Sequence, residues 1–257
     1  MQLSAIFLGA GSAFSAQLGN SSMVVVKDQL PWLMIDCGFD SIQRFNAVFE
    51  DSLPPDVFIT HCHYDHIGGL VELYFQGRKH QYRPRVYVPH HIVATLVNLL
   101  GNTDLAEGGE NVWDVLDLVP VIQHFYHKGV QFSVHPARHH RHLSAFSLHL
   151  NGCFFYTGDT RPIPEIIAHS ASQNEVIFHD CCLQGNPSHS GLQDLLREYP
   201  ESVLSRIQVY HYHSVTDADT FLAAGLQVVK EGTEIPLPVN NHPCVELQVQ
   251  DPLKISG

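Results

Sequence analysis

Apolar residues fall in short runs along the first half of the chain: AIFLG, SMVVV, WLMIDCG, DVFITH and RVYVP. Each is too short for a helix and rich in β-branched or aromatic side chains, so each predicts a strand. Turn residues separate them, among them Gly19-Asn20, Lys27-Asp28 and Pro54-Pro55. The pattern resumes with GVQFSVHPA, AFSLHLNGCFFYTGD, EVIFHD and RIQVYHYH. Within it, FSLHL-NG-CFFYT predicts a hairpin turning at Asn151-Gly152 in a type I′ turn. Helical spacing is predicted over 68–76, 92–100, 162–172, 190–198 and 216–224, the second closing on Gly101 as a C-terminal cap. Strands with helices between them imply an α/β fold of two sheets sandwiched by helices. No repeat, low-complexity tract or linker divides the chain, so one domain is expected over 1–257.

Composition changes this picture in one respect. A hydrophobic share of 44% and a charged share of 16% are ordinary for a globular chain, but 19 histidines outnumber 14 Lys+Arg. That excess points toward metal ligation. A formal net charge of −12 argues against a large nucleic-acid partner, whose phosphates need many cations. GRKHQYRPR, holding Arg78, Lys79, Arg83 and Arg85, is a local exception. It reads as a solvated loop and strand edge, or as a small basic lip for an anionic substrate. No apolar run approaches the length of a membrane span. MQLSAIFLG lacks the basic start and long apolar core of a signal peptide. Cys37, Cys62, Cys153, Cys181, Cys182 and Cys244 show no C-x-x-C spacing, which predicts free thiols in a reducing cytoplasm. The adjacent pair Cys181-Cys182 reads as a buried strand end.

The chemistry concentrates in FITHCHYDHIGGL, residues 58–70, where His61, His63, Asp65 and His66 follow a strand directly. One histidine there would read as a hydrogen-bonding loop residue; four metal-capable side chains at a strand end do not. In extended backbone His61 and His63 point the same way and can chelate one ion. Asp65 and His66, past the turn, can face a second. Gly68-Gly69 then permit a tight turn or close backbone approach. Further donors lie at the ends of later strand-like runs: His139, His140 and His142 in HPARHHRHLSAF, Asp159 in FFYTGDT, His211 and His213 in IQVYHYHS. A carboxylate such as Asp159 can bridge two cations held roughly 3.5–4 Å apart.

Asp36 in MIDCG, the H-x-H-x-D-H hexad, a later His, the Asp of GDT and a final His together resemble the metallo-β-lactamase superfamily. The resemblance runs from FLGAGSAF to VYHYHS and implies an αββα sandwich of two mixed sheets, with metals at one sheet edge. Its motif spacing favours His140 over His139 as the third-motif ligand and His211 over His213 as the last. It implies one ion held by His61, His63 and His140, a second by Asp65, His66 and His211, and Asp159 between them. Zn²⁺ suits this donor set, with Mn²⁺ and Fe²⁺ as alternatives. Asp36 is expected to fix the tautomer of a ligand histidine.

AIFLGAGSAFSAQLGNSSMVVV resembles the ribonuclease Z-like phosphodiesterase branch. A transfer-RNA-processing member would carry an arm between the third motif and GDT, but His140 and Asp159 are only 19 positions apart. The frame IFHDC…H…DL…P…YHY, with THCHYDHIGGLVEL and GDT, is similar to anti-Pycsar-type cyclic-nucleotide phosphodiesterases. The implied activity is hydrolysis of a small anionic phosphodiester, foremost a 3′,5′-cyclic mononucleotide, by a hydroxide shared between the ions. A homodimer is implied as well. Another small phosphodiesterase, a lactonase or thioesterase, and a nucleotide-sequestering binding protein are the alternatives. His189 precedes Ser190-Gly-Leu-Gln193, which reads as a capping box, so His189 is expected beside a helix N-terminus that favours phosphate. Asp65 and His189 are the candidate catalytic residues, His189 as proton donor to the leaving oxygen. His179 and Asp180 read as structural, or as a pair supporting the ligands.

Overall fold

The β-branched runs form strands, and their near-continuous apolarity has a physical cause: they are buried on both faces. β1 (Leu3–Gly9) is buried along its whole length, and β2 (Ser22–Lys27) along all but its last residue. The computed structural model describes residues 2–50, 52–101 and 111–239, so Cys244 lies outside the described residues.

Within them, β1 and β2 join β3 (Leu30–Ile35), β4 (Asp56–Phe58), β5 (Arg85–Pro89), β6 (Asp117–Val121) and β14 (Glu234–Leu237) in one sheet, ordered β14-β1-β2-β3-β4-β5-β6. The second contains β7 (His124–His127), β8 (Val130–Pro136), β9 (Phe146–Leu150), β10 (Phe154–Tyr156), β11 (Val176–Asp180), β12 (Ile207–Tyr210) and β13 (Gln227–Val228), ordered β13-β12-β11-β10-β9-β8-β7. Each sheet is mixed. Pairing is antiparallel from β14 to β3 and parallel from β3 to β6; in the other sheet it is parallel from β13 to β10 and antiparallel from β10 to β7. Aromatic rings fill the space between the sheets: Phe7 of β1 lies 5.2 Å from Phe178 of β11 and 5.6 Å from Tyr210 of β12. Phe58 of β4 stacks on Phe125 of β7 at 5.7 Å.

The expected helices form within a few residues of their predicted bounds: α3 (Leu70–His80), α4 (His90–Gly101), α6 (Pro164–Ser170), α7 (Leu192–Glu198) and α9 (Val215–Ala223). Unanticipated are α1 (Ser41–Val48) and three one-turn helices: α2 (Tyr64–Ile67), α5 (Val112–Val115) and α8 (Glu201–Leu204). No helix among the described residues is long and apolar enough to cross a membrane.

Two turn expectations change. Leu150 pairs with Phe154, leaving a three-residue loop in which Gly152 alone has a left-handed φ, +79°. A type I′ turn needs positive φ at both central residues, so Asn151-Gly152 is not one. Cys153 is the extra residue, and the Gly152 N–H is drawn to the Glu175 carboxylate. The two-residue loop with both φ positive is instead Asp28-Gln29, at +49° and +68° between paired Lys27 and Leu30. The basic stretch lies away from the centre described below. Arg85 opens β5, which runs parallel to β4, so it sits at the opposite sheet edge from the hexad that follows β4. The solvated-edge reading fits; the lip does not.

Beneath the β9–β10 loop, Glu175 is 1% exposed and accepts from His149 Nε2 (3.0 Å), Gly152 N–H and the Ser172 hydroxyl (2.9 Å). Burial pushes its pKa up, but these donors outweigh burial and hold it below the usual 4.5. A depressed carboxylate pKa stabilises the fold above the unfolded value and loses that contribution as pH falls through the folded one. Glu175→Gln is therefore expected to cost about 1–3 kcal/mol at pH 7. In thermal melts of both proteins, the Tm gap should narrow below about pH 4.

Candidate metal centre

The strand directions bring the chemistry to one edge. β1, β3, β4, β8, β10, β11 and β12 all run toward it, and their following loops carry the polar residues, as ligand sites in α/β sheets do. Thr60 O accepts from Phe146 N–H and His61 bridges Ala145, so the loop after β4 is stitched to the opposite sheet.

His61, His66, His139 and His211 are each aimed by a partner on the other nitrogen. Asp36, buried with φ +60°, accepts from Thr60 N–H (2.8 Å) and from the Thr60 hydroxyl (2.9 Å). Its other oxygen accepts from His66 Nδ1–H at 2.9 Å. His66 Nε2 then lies 3.3 Å from Asp65 and 3.4 Å from Asp159. His61 Nδ1 contacts the Thr60 hydroxyl at 3.0 Å, turning Nε2 to within 3.6 Å of Asp159. His139 Nδ1–H donates to Ser188 O at 2.8 Å, and its Nε2 reaches 3.2 Å from His63 Nδ1. His211, with φ +64°, places Nε2 3.5 Å from Asp65 and 3.4 Å from Asp159. Asp159 follows Gly158, whose φ is +64° and where a Cβ would stand 2.6 Å from Phe146 O. Gly69 serves close approach rather than a turn: a Cβ there would stand 2.3 Å from Gly38 O.

Three donor groups result, ligand atoms in each lying within 4.8 Å of one another: Asp159–Asp180–His189–His211, which takes in the acid candidate, and two built from the ligand candidates, His61–His63–His139–Asp159 and Asp65–His66–Asp159–His211. Asp159 belongs to all three. Whether this donor set fits cations is tested by its unsatisfied atoms. Nε2 of His61, His66 and His211 and Oδ1 of Asp159 are buried and have no hydrogen-bond partner. Leaving one such atom bare costs about 1–3 kcal/mol, and four converging on one spot is what cation binding would relieve.

The electrostatics divide the ligands. Burial, with the neighbouring His66, drives His61 well below the usual imidazole pKa, and burial lowers His139 to about 4. Both are thus neutral donors at pH 7. Burial opposes charge on His66 and His211 too, but Asp159 and its companion carboxylates prevail, raising His66 well above its usual value and His211 to about 10. Binding a cation at the Asp65–His66–Asp159–His211 group therefore displaces protons.

Of the sequence-predicted ligands, His61, His63, Asp65, His66, Asp159 and His211 converge; His140 does not. His139 takes the inward position. Ala137 N–H bonds Ala145 O, Arg138 N–H bonds the Thr160 hydroxyl, and His140 adopts φ +46°, which turns its exposed side chain outward to Ser188 Oγ at 3.0 Å. His213 is exposed, its N–H committed to Asp217. His189 reaches the centre, but not through the expected cap. α7 begins at Leu192, Gly191 N–H bonds the Asp194 carboxylate at 3.0 Å, and the Ser190 hydroxyl donates to Thr160 O. The helix end is thus already served by its own carboxylate. His189 instead donates Nδ1–H to Asp180 at 2.9 Å and stacks on His211 with 5.0 Å between ring centroids. Burial opposes its charge, yet Asp180 raises its pKa. Asp180 also lies 3.4 Å from His211 Nδ1, so the residue read as merely supportive connects the acid candidate with a ligand.

A family model described as anti-Pycsar protein Apyc1 matches residues 3–235. The chain belongs to the anti-Pycsar protein Apyc1 family. An anti-Pycsar protein Apyc1 from Paenibacillus xerothermodurans is 31% identical over 230 residues, covering 82% of this chain and 88% of the relative. One from Bacillus phage BSP38 is 28% identical over 235 residues, covering 80% and 87%. The fold also matches solved structures of metallo-β-lactamase fold proteins. YhfI from Bacillus subtilis aligns with a TM-score of 0.72 at 14% identity, over 92% of this chain and 100% of the other. Human short-form tRNase Z aligns at 0.63 and 15%, over 92% and 100%. As an anti-Pycsar family member with this donor set, the chain is a metal-dependent phosphodiesterase. The β9–β10 hairpin occupies the interval between His139 and Asp159, and no arm protrudes there.

Proposed function

We propose that this phosphodiesterase hydrolyses a 3′,5′-cyclic mononucleotide at a centre of two divalent cations, Zn²⁺ foremost. The observation that carries the reading is Asp159 shared between two converging donor groups whose inward atoms lack partners. The anti-Pycsar names of the relatives support a small cyclic nucleotide as substrate. His61, His63 and His139 would hold one cation and Asp65, His66 and His211 the other, with Asp159 common to both. When bound, the pair supplies Lewis acidity that acidifies a water and offsets charge developing on the phosphoryl oxygens.

The chain's own groups do the rest. Asp36, Thr60 and Ser188 O keep the imidazoles oriented before substrate arrives. Water adds to phosphorus, the bond to the ribose O3′ or O5′ breaks, and that oxygen must gain a proton. His189 supplies it from Nε2 while Asp180 holds Nδ1. Two copies of the chain are proposed to associate, and light scattering should return twice the chain mass.

Proton donation matters most when the leaving group is a basic alkoxide. His189→Ala is expected to cut kcat on a cyclic mononucleotide by about 10²–10⁴-fold. On bis(p-nitrophenyl) phosphate, whose leaving group needs no proton, the loss should be far smaller. Equal losses on both would rule out the acid role. An acyl-homoserine lactone assayed alongside should remain uncleaved.

A further inference from the structure

A cavity of about 650 Å³ opens beside the metal centre, and His63 and Asp65 belong to its wall. Three aromatic residues line it: Phe14, Phe39 and Tyr64, exposed by 91%, 63% and 66%. Phe39 and Tyr64 stack with 5.9 Å between ring centroids and 27° between planes. Leaving three large rings in water at one spot is unfavourable unless something covers them.

Phe14 is exposed without being loosely held. Its loop is tied down by Gly11 N–H to Gly19 O (2.9 Å), Ser15 N–H to Ser12 O (2.9 Å) and the Ser15 hydroxyl to His213 O (2.8 Å). Several polar groups of the rim are already committed. Asn20 Oδ1 accepts from Phe39 N–H at 3.0 Å, and Asp40 is paired with Arg44. The rim offers an occupant ring faces on a backbone held in place beforehand, which lowers the cost of ordering them on binding. The cavity on the other flank of the centre, about 390 Å³ and lined by His140, Arg141 and Ser144 among others, offers no Phe, Tyr or Trp ring.

We propose that Phe14, Phe39 and Tyr64 form a stacking cleft for the heteroaromatic base of the substrate, with its phosphodiester at the metal centre. This rests on the cyclic-nucleotide reading above. A phosphodiester held at His63 and Asp65 directs a planar base, one ribose away, into the cavity those two residues share. Stacking on an aromatic ring typically contributes enough that truncating the ring weakens binding several-fold to a hundredfold.

The test uses the full-length, metal-loaded chain with 3′,5′-cyclic AMP and the abasic ribose 3′,5′-cyclic phosphate as substrates. Phe14→Ala and Phe39→Ala should each lower kcat/KM for cyclic AMP about tenfold, mainly through KM. The preference for cyclic AMP over the abasic phosphate should shrink by the same factor. Phe14→Trp should restore it, and Leu30→Ala, at the start of β3 beside the distant β2–β3 turn, should leave both substrates unaffected. An unchanged preference in both alanine variants, or equal losses on both substrates, overturns the cleft alone. Failure of the unmodified, metal-loaded chain to cleave either substrate overturns the cyclic-nucleotide reading and the cleft together.

Discussion

Asp159→Ala is expected to abolish turnover and lower the bound metal content. Asp159 is the one side chain common to both donor groups, with Oδ2 facing His61, His66 and His211 at 3.6, 3.4 and 3.4 Å and Oδ1 buried without a partner. Truncating it removes an anion from both groups at once. Charge stabilisation by a bound cation amounts to several kcal/mol, and each 1.36 kcal/mol is tenfold in rate, so a loss of about 10³-fold or more follows. The imidazoles of His66 and His211, whose pKa values Asp159 raises, are also left without their common counter-charge. Asp159→Asn separates charge from shape: it keeps the side-chain volume yet should still lose most activity. Elemental analysis of both variants beside kcat is the check; near-normal metal content and rate in Asp159→Ala would be incompatible with a shared ligand.

The adjacent histidines give the second large contrast. His139→Ala should deplete one cation and reduce activity by about two orders of magnitude or more, while His140→Ala should stay within a few-fold of the unmodified chain. The difference follows from one backbone angle. His139 is buried, held through Nδ1 by Ser188 O with Nε2 facing His63; His140, at φ +46°, is exposed, its Nδ1 taken by Ser188 Oγ and its ring 4.9 Å from that of His63. A parallel titration with Zn²⁺ would show the depletion directly. The reverse ranking would reassign the ligand.

That pair also marks where the sequence stops being legible. The hexad could be read because H-x-H at a strand end forces two imidazoles onto one side, and because four such donors in succession have little other use. HPARHHRHLSAF carries no such geometry. Spacing does not record that the Arg138–Thr160 bond and a left-handed His140 turn the chain there. His189 shows a related gap: SHSGLQ fits a capping box, yet Asp194 three residues after Gly191 caps the helix instead. The local motif was right in kind and displaced by one residue, and Asp180, which aims His189, is nine residues away in sequence.

The fold was legible wherever a strand is buried on both faces. β6, β7, β13 and β14 went unread, and they are the four edge strands of the two sheets. Edge strands face water along one side and tolerate proline and charge, as Pro120 in β6 and Glu234 and Pro236 in β14 illustrate, so no apolar run announces them. The one-turn helices α2, α5 and α8 are likewise too short for a hydrophobic period to show. The metal centre is insensitive to these omissions because its residues follow interior strands.

The most direct test is turnover of 3′,5′-cyclic mononucleotides by purified chain with bound metal quantified in the same sample. Two equivalents of divalent metal per chain are expected, with hydrolysis to the nucleoside monophosphate that disappears on chelation and returns on reloading. Undiminished turnover in chelator-stripped protein, or no hydrolysis of any cyclic mononucleotide by fully loaded protein, would contradict it.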